Sequence, residues 1–313
     1  MTKPRPDAAP HPLADEIRPG QSLELLKELH ILTREGRLNQ DSRRKLKQVY
    51  HLYQFIEKLL LELTGSGPTG QAGRADRVTD ALAPSASRAG GITAADHGAG
   101  KSYLGFILYD LFFRARADGH IYGIETRPEL VEKSRQLAAR LGFDRMTFLN
   151  LSVAESARSD QLPPRIDLVT ALHACDTATD DAIAFGLQKQ ARFMVLVPCC
   201  QAEVARVLSQ HKALSLARTP LAELWRHPLH TRELGSQITN VLRCLYLEAQ
   251  GYQVTVTELV GWEHSLKNEL ILARHTGQPR HAAAKRLRAL LTEFGLDSLL
   301  ETRFSGLTDN QNL

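Results

Sequence analysis

The sequence predicts an α/β fold built around a mostly parallel sheet. Three observations carry that expectation. Beyond Gly91, short apolar runs alternate with amphipathic segments of helical length; a glycine-rich turn, Gly98-Ala99-Gly100, closes the first run; and the second run ends in an acid, Glu125. Such alternation demands crossover helices, which cover both faces of a parallel sheet.

In chain order, residues 1–22 are rich in proline and charge and read as a disordered tail. Between 23 and 64, apolar residues recur at helical spacing (Leu25, Leu26, Leu29, Leu32, then Leu46, Val49, Tyr50, Tyr53, Ile56, Leu59, Leu60, Leu63), which predicts a helical N-terminal extension. Glycine, serine and proline crowd 65–91, a linker that makes the extension separable. The main domain is expected over 92–276, with parallel strands at 92–95, 120–124, 146–149, 166–172 and 193–197. A helix over Pro128–Leu141 begins with proline at its first position, where a missing N–H costs nothing. Two further strands, 253–259 and 270–273, are close enough to pair antiparallel, and 277–313 reads as a C-terminal helical segment.

Composition narrows the classes. A chain of 313 residues buries a core without staples, and four cysteines, two of them adjacent, do not make a disulfide framework. The first residues lack an apolar core of signal-peptide length and no stretch approaches a membrane span, so a cytoplasmic, soluble protein is expected. A net charge of +4 permits nucleic-acid binding without arguing for it. Basic residues gather in two places: Arg34, Arg37, Arg43, Arg44, Lys45 and Lys47, then Arg280, Lys285, Arg286 and Arg288. Each group can track phosphates or form a solvated helix face.

The turn Asp96-His97-Gly98-Ala99-Gly100-Lys101-Ser102-Tyr103 admits three nucleotide-type ligands. A dinucleotide fingerprint needs a third glycine where Tyr103 stands, and a phosphate-binding P-loop needs a first glycine where Ala95 stands. S-adenosyl-L-methionine carries no pyrophosphate and fits best. Asp96 then opens the loop toward an ammonium, Gly98 and Gly100 let the backbone approach closely, and Glu125 is placed for two ribose hydroxyls. Asn150, Leu151 and Ser152, after the third strand, hold the position expected to meet the adenine. Five parallel strands plus a terminal antiparallel pair is the arrangement of class I methyltransferases, a Rossmann-like sheet.

In open parallel sheets ligands sit beyond the carboxyl ends of the strands. Strand four runs through Leu172 into His173-Ala174-Cys175-Asp176, and strand five into Pro198-Cys199-Cys200-Gln201. His173 is a candidate general base, with Asp176 orienting it or the substrate; alternatively His173 bonds a backbone carbonyl. Cys199 and Cys200 are packing residues, or nucleophiles toward C6 of a pyrimidine, or metal ligands together with His173 and Cys175. No Cys-x-x-Cys spacing supports the last, so no metal is assigned. Thr177, Thr179 and Asp180 read as caps for a helix starting near Asp181. Lys267-Asn268 either closes over the substrate or forms a hairpin turn.

The pattern His173-x-Cys175-x-x-Ala178-Thr179-Asp180, followed by Cys199-Cys200, resembles the eukaryotic tRNA acceptor-stem 2′-O-methyltransferases. The stretch from Asp96 to about His275 is also similar to the methyltransferase-like group that contains the glutathione-S-transferase-C-terminal-domain protein. Lys101-Ser102-Tyr103-Leu104 and Lys267-Asn268 carry that second likeness. Both imply the methyltransferase fold and S-adenosylmethionine as cofactor; structured RNA (tRNA or rRNA) is the leading substrate, with the basic helical extension docking its phosphates. Ala99, Ser102 and Gln201 depart from the shared pattern, and the zinc modules of the tRNA enzymes are missing. A protein or small-molecule acceptor, or a cofactor-binding adaptor without turnover, are the alternatives.

Overall fold

Short apolar runs make the middle of the molecule. Strands β1 (Thr93–His97), β2 (His120–Glu125), β3 (Met146–Asn150), β4 (Leu168–Leu172) and β5 (Phe193–Val197) pair in parallel. An antiparallel couple, β6 (Tyr252–Glu258) and β7 (Glu269–His275), completes the sheet in the order β3-β2-β1-β4-β5-β7-β6. This computed structural model describes residues 16–65, 91–172, 176–199, 201–211, 220–259 and 269–307, and it has the fold class the sequence predicts. Burial follows strand position. All of β5 is buried between helical layers, whereas edge strand β6 is buried only at Tyr252 and leaves Val256 half exposed.

Among the strand boundaries that differ from expectation, those of β1 and β4 have identifiable reasons. β1 begins at Thr93 and runs on through Asp96 and His97, because its pairing with β2 continues to Ile124. Asp96 is therefore a strand residue rather than the first of the loop. β4 begins at Leu168 because Asp167 turns its carboxylate onto the N–H and hydroxyl of Thr93, at 2.8 and 2.9 Å.

One face of the sheet is covered by α1 (Leu23–Glu28), α2 (Gln40–Leu63), α3 (Tyr103–Leu108, continuing into a π-helical turn) and α4 (Pro128–Leu141). The other carries α5 (Val153–Arg158), α6 (Ala178–Gln188), α7 (Glu203–His211), α8 (Pro228–Ala249), α9 (His281–Glu293) and α10 (Ser298–Arg303). The helical front is part of the same core as the sheet: Leu46, Leu52, Ile56 and Leu60 of α2 cluster with Ile92, Leu104, Phe106 and Phe193. Each such fully buried side chain contributes about 2 kcal/mol of transfer free energy. Asn39 starts α2 by accepting from the Ser42 N–H at 2.8 Å, and near its end Glu62 takes Arg274 of β7 at 2.7 Å.

α6 corrects the capping expected around Asp181. It begins three residues earlier, at Ala178, and its N-cap Thr177 already has helical backbone angles and makes no side-chain cap bond. Thr179 is buried in the first turn, and Asp180 is taken by a buried ion pair with Arg243 of α8. Among the described residues, no helix is long and apolar enough to cross a membrane.

Candidate functional site

The turn after β1 is shaped by its glycines. Gly98 (φ +66°) and Gly100 (φ +58°) sit in the left-handed region, which a side chain would strain. Between them the Ala99 N–H donates to the Ile124 carbonyl at 3.0 Å and pins the turn to β2. Ser102 is also left-handed, at φ +50°. Its hydroxyl donates to Asp96 Oδ2 at 3.2 Å, which offsets that strain. A Cβ at Gly105 would lie 2.5 Å from this hydroxyl, so α3 meets the tip of β1 as closely as glycine allows.

Adjacent residues of β1 face opposite ways. Asp96 also accepts from the Thr170 hydroxyl at 3.0 Å. Burial pushes its carboxyl up to about 6, against hydrogen bonds from Thr170, Ser102 and the Gly105 N–H. His97 lies against Phe185 of α6, with ring centroids 5.2 Å apart, and its ring nitrogens have no hydrogen-bond partner among the described residues. Burial pushes that imidazole down to about 4 and keeps it neutral.

Glu125, at the tip of β2, is a charged acceptor. Its Oε2 takes the Gly100 N–H at 2.7 Å and Oε1 takes the Arg127 N–H at 3.0 Å. Burial opposes its ionisation, but the side-chain and backbone bonds from Arg127 and the bond from Gly100 outweigh that and hold the carboxyl at about 2. After β3, Asn150 donates its amide to the carbonyls of Glu125 and Thr126, at 3.0 and 2.8 Å. Ser152 forms a capping box with Glu155 at the start of α5, and Leu151 packs against the core. Thus two of the three residues expected near an adenine also brace the local backbone.

At the neighbouring tips, Leu172 closes β4 and the half-buried Cys199 follows β5. His173, Cys175, Cys200, Lys267 and Asn268 lie outside the described residues. Asp176, with φ +51°, accepts from the N–H groups of Ala202 and Glu203 at 2.9 and 3.1 Å. It thereby caps α7 and ties the segment after β4 to the segment after β5.

Sequence reasoning missed the polar network beneath these tips. The Arg243 guanidinium donates to both Asp180 oxygens (2.8 and 2.7 Å), to the Asp176 carbonyl (2.8 Å) and to Asn240 Oδ1 (3.1 Å). Asn240 donates to Glu269 of β7 at 2.6 Å and accepts from Gln201, which accepts from Ser236 at 2.6 Å. One signal existed: an arginine on the buried stripe of α8 requires an acid opposite it.

A cavity of ≈ 320 Å³ opens over the tips of β1 and β4. Its floor includes Asp96, Ala99 and Leu172, and one stripe of α2 (Lys45, Gln48, Val49, Leu52) forms its roof. The donor set fits S-adenosylmethionine: an acid and two lysines for a zwitterionic end, apolar walls for its stem, and an ionised carboxylate at the next tip for a ribose.

This sheet order, with a glycine turn after β1 and an ionised acid closing β2, defines a Rossmann-like methyltransferase that uses S-adenosylmethionine. A family model described as a methyltransferase domain matches residues 44–207, more than half of the chain, and the chain belongs to that family. Among solved structures, it is similar to magnesium protoporphyrin IX methyltransferase from Synechocystis PCC 6803 with bound S-adenosylhomocysteine. That likeness has 14% identity and a TM-score of 0.42, covering 81% of this chain and 93% of that one. It is also similar to a Methanococcus jannaschii fibrillarin, a pre-rRNA processing protein, at 10% identity and TM-score 0.37, covering 60% and 67%. A third likeness is to an rRNA methylase from Streptococcus thermophilus, at 7% identity and TM-score 0.34, covering 59% and 86%. No curated protein matches the chain.

Proposed function

We propose that this methyltransferase acts on structured RNA, tRNA or rRNA, at a ribose hydroxyl or a base nitrogen. The observation that carries this reading is the basic first half of α2. Arg43, Arg44, Lys45 and Lys47 are exposed there, and Lys45 belongs both to that face and to the mouth of the cavity. Phosphates docked on such a face bind less tightly as salt rises. Arg43 is paired with Glu16 at 2.7 Å, as Arg280 and Arg286 of α9 are with Glu248 at 3.3 and 3.1 Å, so Lys45 and Lys47 carry most of the reading. The likeness of the strand-tip residues to the tRNA acceptor-stem enzymes favours the same substrate class.

When bound, the cofactor supplies an electrophilic methyl group on a sulfonium. In this reading Asp96, Gly98 and Gly100 hold its amino-acid end, Glu125 its ribose, and Asn150, Leu151 and Ser152 border its adenine, with Leu172 beside the sulfur. His173 takes the proton that the acceptor loses. Asp176 positions the segment carrying His173, through its cap on α7. Cys199 and Cys200 pack beside the acceptor, and Lys267 and Asn268 close over it. Positioning then supplies much of the rate.

The alternative is a protein or small-molecule acceptor. The two readings separate when tritium from labelled S-adenosylmethionine is followed into fractionated RNA, protein and small molecules from a deletion strain. Label in an RNA fraction is the expected result. Label confined to protein or to small molecules contradicts it.

A further inference from the structure

Helix α2 does more than complete a core. Lys45, Gln48, Val49 and Leu52 follow the i, i+3, i+4, i+7 spacing of a single helix face, and all four line the cavity. Across it lie Asp96 and Lys101, five residues apart on one turn and thus within reach of one small ligand head. Of the other basic side chains on the front half of α2, Arg43 takes Glu16 at 2.7 Å and Arg44 lies 3.9 Å from Asp41. Lys45 and Lys101 have neither an ion pair nor a hydrogen bond among the described residues. A cavity with a buried acid at its floor, two unpaired lysines at its mouth and leucines between them suits a zwitterion on a short apolar stem. An α-amino acid attached through a thioether is such a group.

We propose that Lys45, with Lys101 opposite, binds the carboxylate of the cofactor's amino-acid end, so that α2 is a wall of the cofactor site as well as a docking face. This rests on the cofactor placement given above. It assigns the N-terminal helix a share of cofactor affinity that the glycine turn and Glu125 do not provide. A charge-assisted hydrogen bond of this kind changes affinity by roughly tenfold.

Two ligands sharing one adenosine test the assignment. S-adenosylhomocysteine carries the amino-acid end, and 5′-methylthioadenosine lacks it. Titration calorimetry on the full chain compares wild type, Lys45→Met and Lys45→Arg, with thermal unfolding of each variant recorded alongside. The expected result is a roughly tenfold loss of S-adenosylhomocysteine affinity in Lys45→Met, unchanged 5′-methylthioadenosine affinity, and substantial recovery in Lys45→Arg. Unchanged S-adenosylhomocysteine affinity overturns the proposal. So does an equal loss for both ligands, which would mean that the substitution displaces α2. A wild-type chain that binds neither ligand overturns the cofactor placement itself, an outcome distinct from both.

Discussion

Arg127 lies across Glu125: Nε donates to Oε1 at 3.0 Å and Nη2 to Oε2 at 3.1 Å, a bidentate pair on the carboxylate assigned to the ribose. A carboxylate has about four lone-pair positions. The N–H groups of Gly100 and Arg127 already take two of them. Two ribose hydroxyls therefore compete with the guanidinium. Arg127 is the partner free to leave, since its side chain is 59% exposed and that of Glu125 only 7%.

Removing the competitor is expected to tighten binding. With the guanidinium in solvent, the ion pair is worth about 1 kcal/mol, so Arg127→Met should raise S-adenosylhomocysteine affinity about fivefold. Calorimetric titration checks this. A fall in affinity would show instead that Arg127 holds the ligand.

Asp96 and His97 make opposing contributions to stability. The carboxyl, raised to about 6, keeps a proton that the unfolded chain releases near 3.8, so stability falls as pH rises from about 4 to 6. The imidazole, lowered to about 4, stays neutral where the unfolded chain gains a proton near 6.5, so stability falls as pH drops from 6.5 to 4. Asp96→Asn should therefore steepen the loss of urea-unfolding free energy on acidification through this range. His97→Leu should reverse the slope, with stability rising between pH 6 and 4. Wild-type slopes in both variants would contradict these assignments.

Arg243 is fully buried, and its loss would leave Asp180 charged and unpaired. Arg243→Met should cost about 3–5 kcal/mol in urea unfolding. Adding Asp180→Leu should recover part of that loss, because the uncompensated charge is gone. Strictly additive losses would mean that the pair is not coupled.

Gly123 of β2 faces the Phe148 ring, where a Cβ would lie 2.5 Å from a ring carbon. Gly123→Ala should destabilise by about 1–3 kcal/mol through overpacking. An unaltered denaturation midpoint would show that the ring yields freely.

What the chain revealed in advance was whatever is local. Strand runs such as 193–197, the proline that opens α4, and the acid closing β2 all depend on residues within a few positions of one another. The reach of β1 through His97 was hidden, because only pairing with β2 keeps Asp96 and His97 extended. Arg243 and Asp180 are 63 residues apart, and Arg274 and Glu62 are 212 apart. No periodicity in either segment names the other as partner. The apolar stripe of α2 was legible as buried, but the sheet face covering it was not. For the same reason Lys45 looked like one member of a basic run rather than part of a cavity lining. Asp176 is a related case: as a residue type near His173 it suggested chemistry, while its left-handed backbone turns the carboxylate onto the α7 amides.

The central claim is that the cofactor lies over the tips of β1 and β2 with its ribose on Glu125. Diffraction from crystals grown with S-adenosylhomocysteine tests it most directly. The account predicts density beside the Gly98–Gly100 turn, with the ribose hydroxyls within hydrogen-bonding distance of Glu125 and the Arg127 side chain withdrawn. A ligand bound elsewhere, or a ribose that leaves the Glu125–Arg127 pair intact, would contradict it.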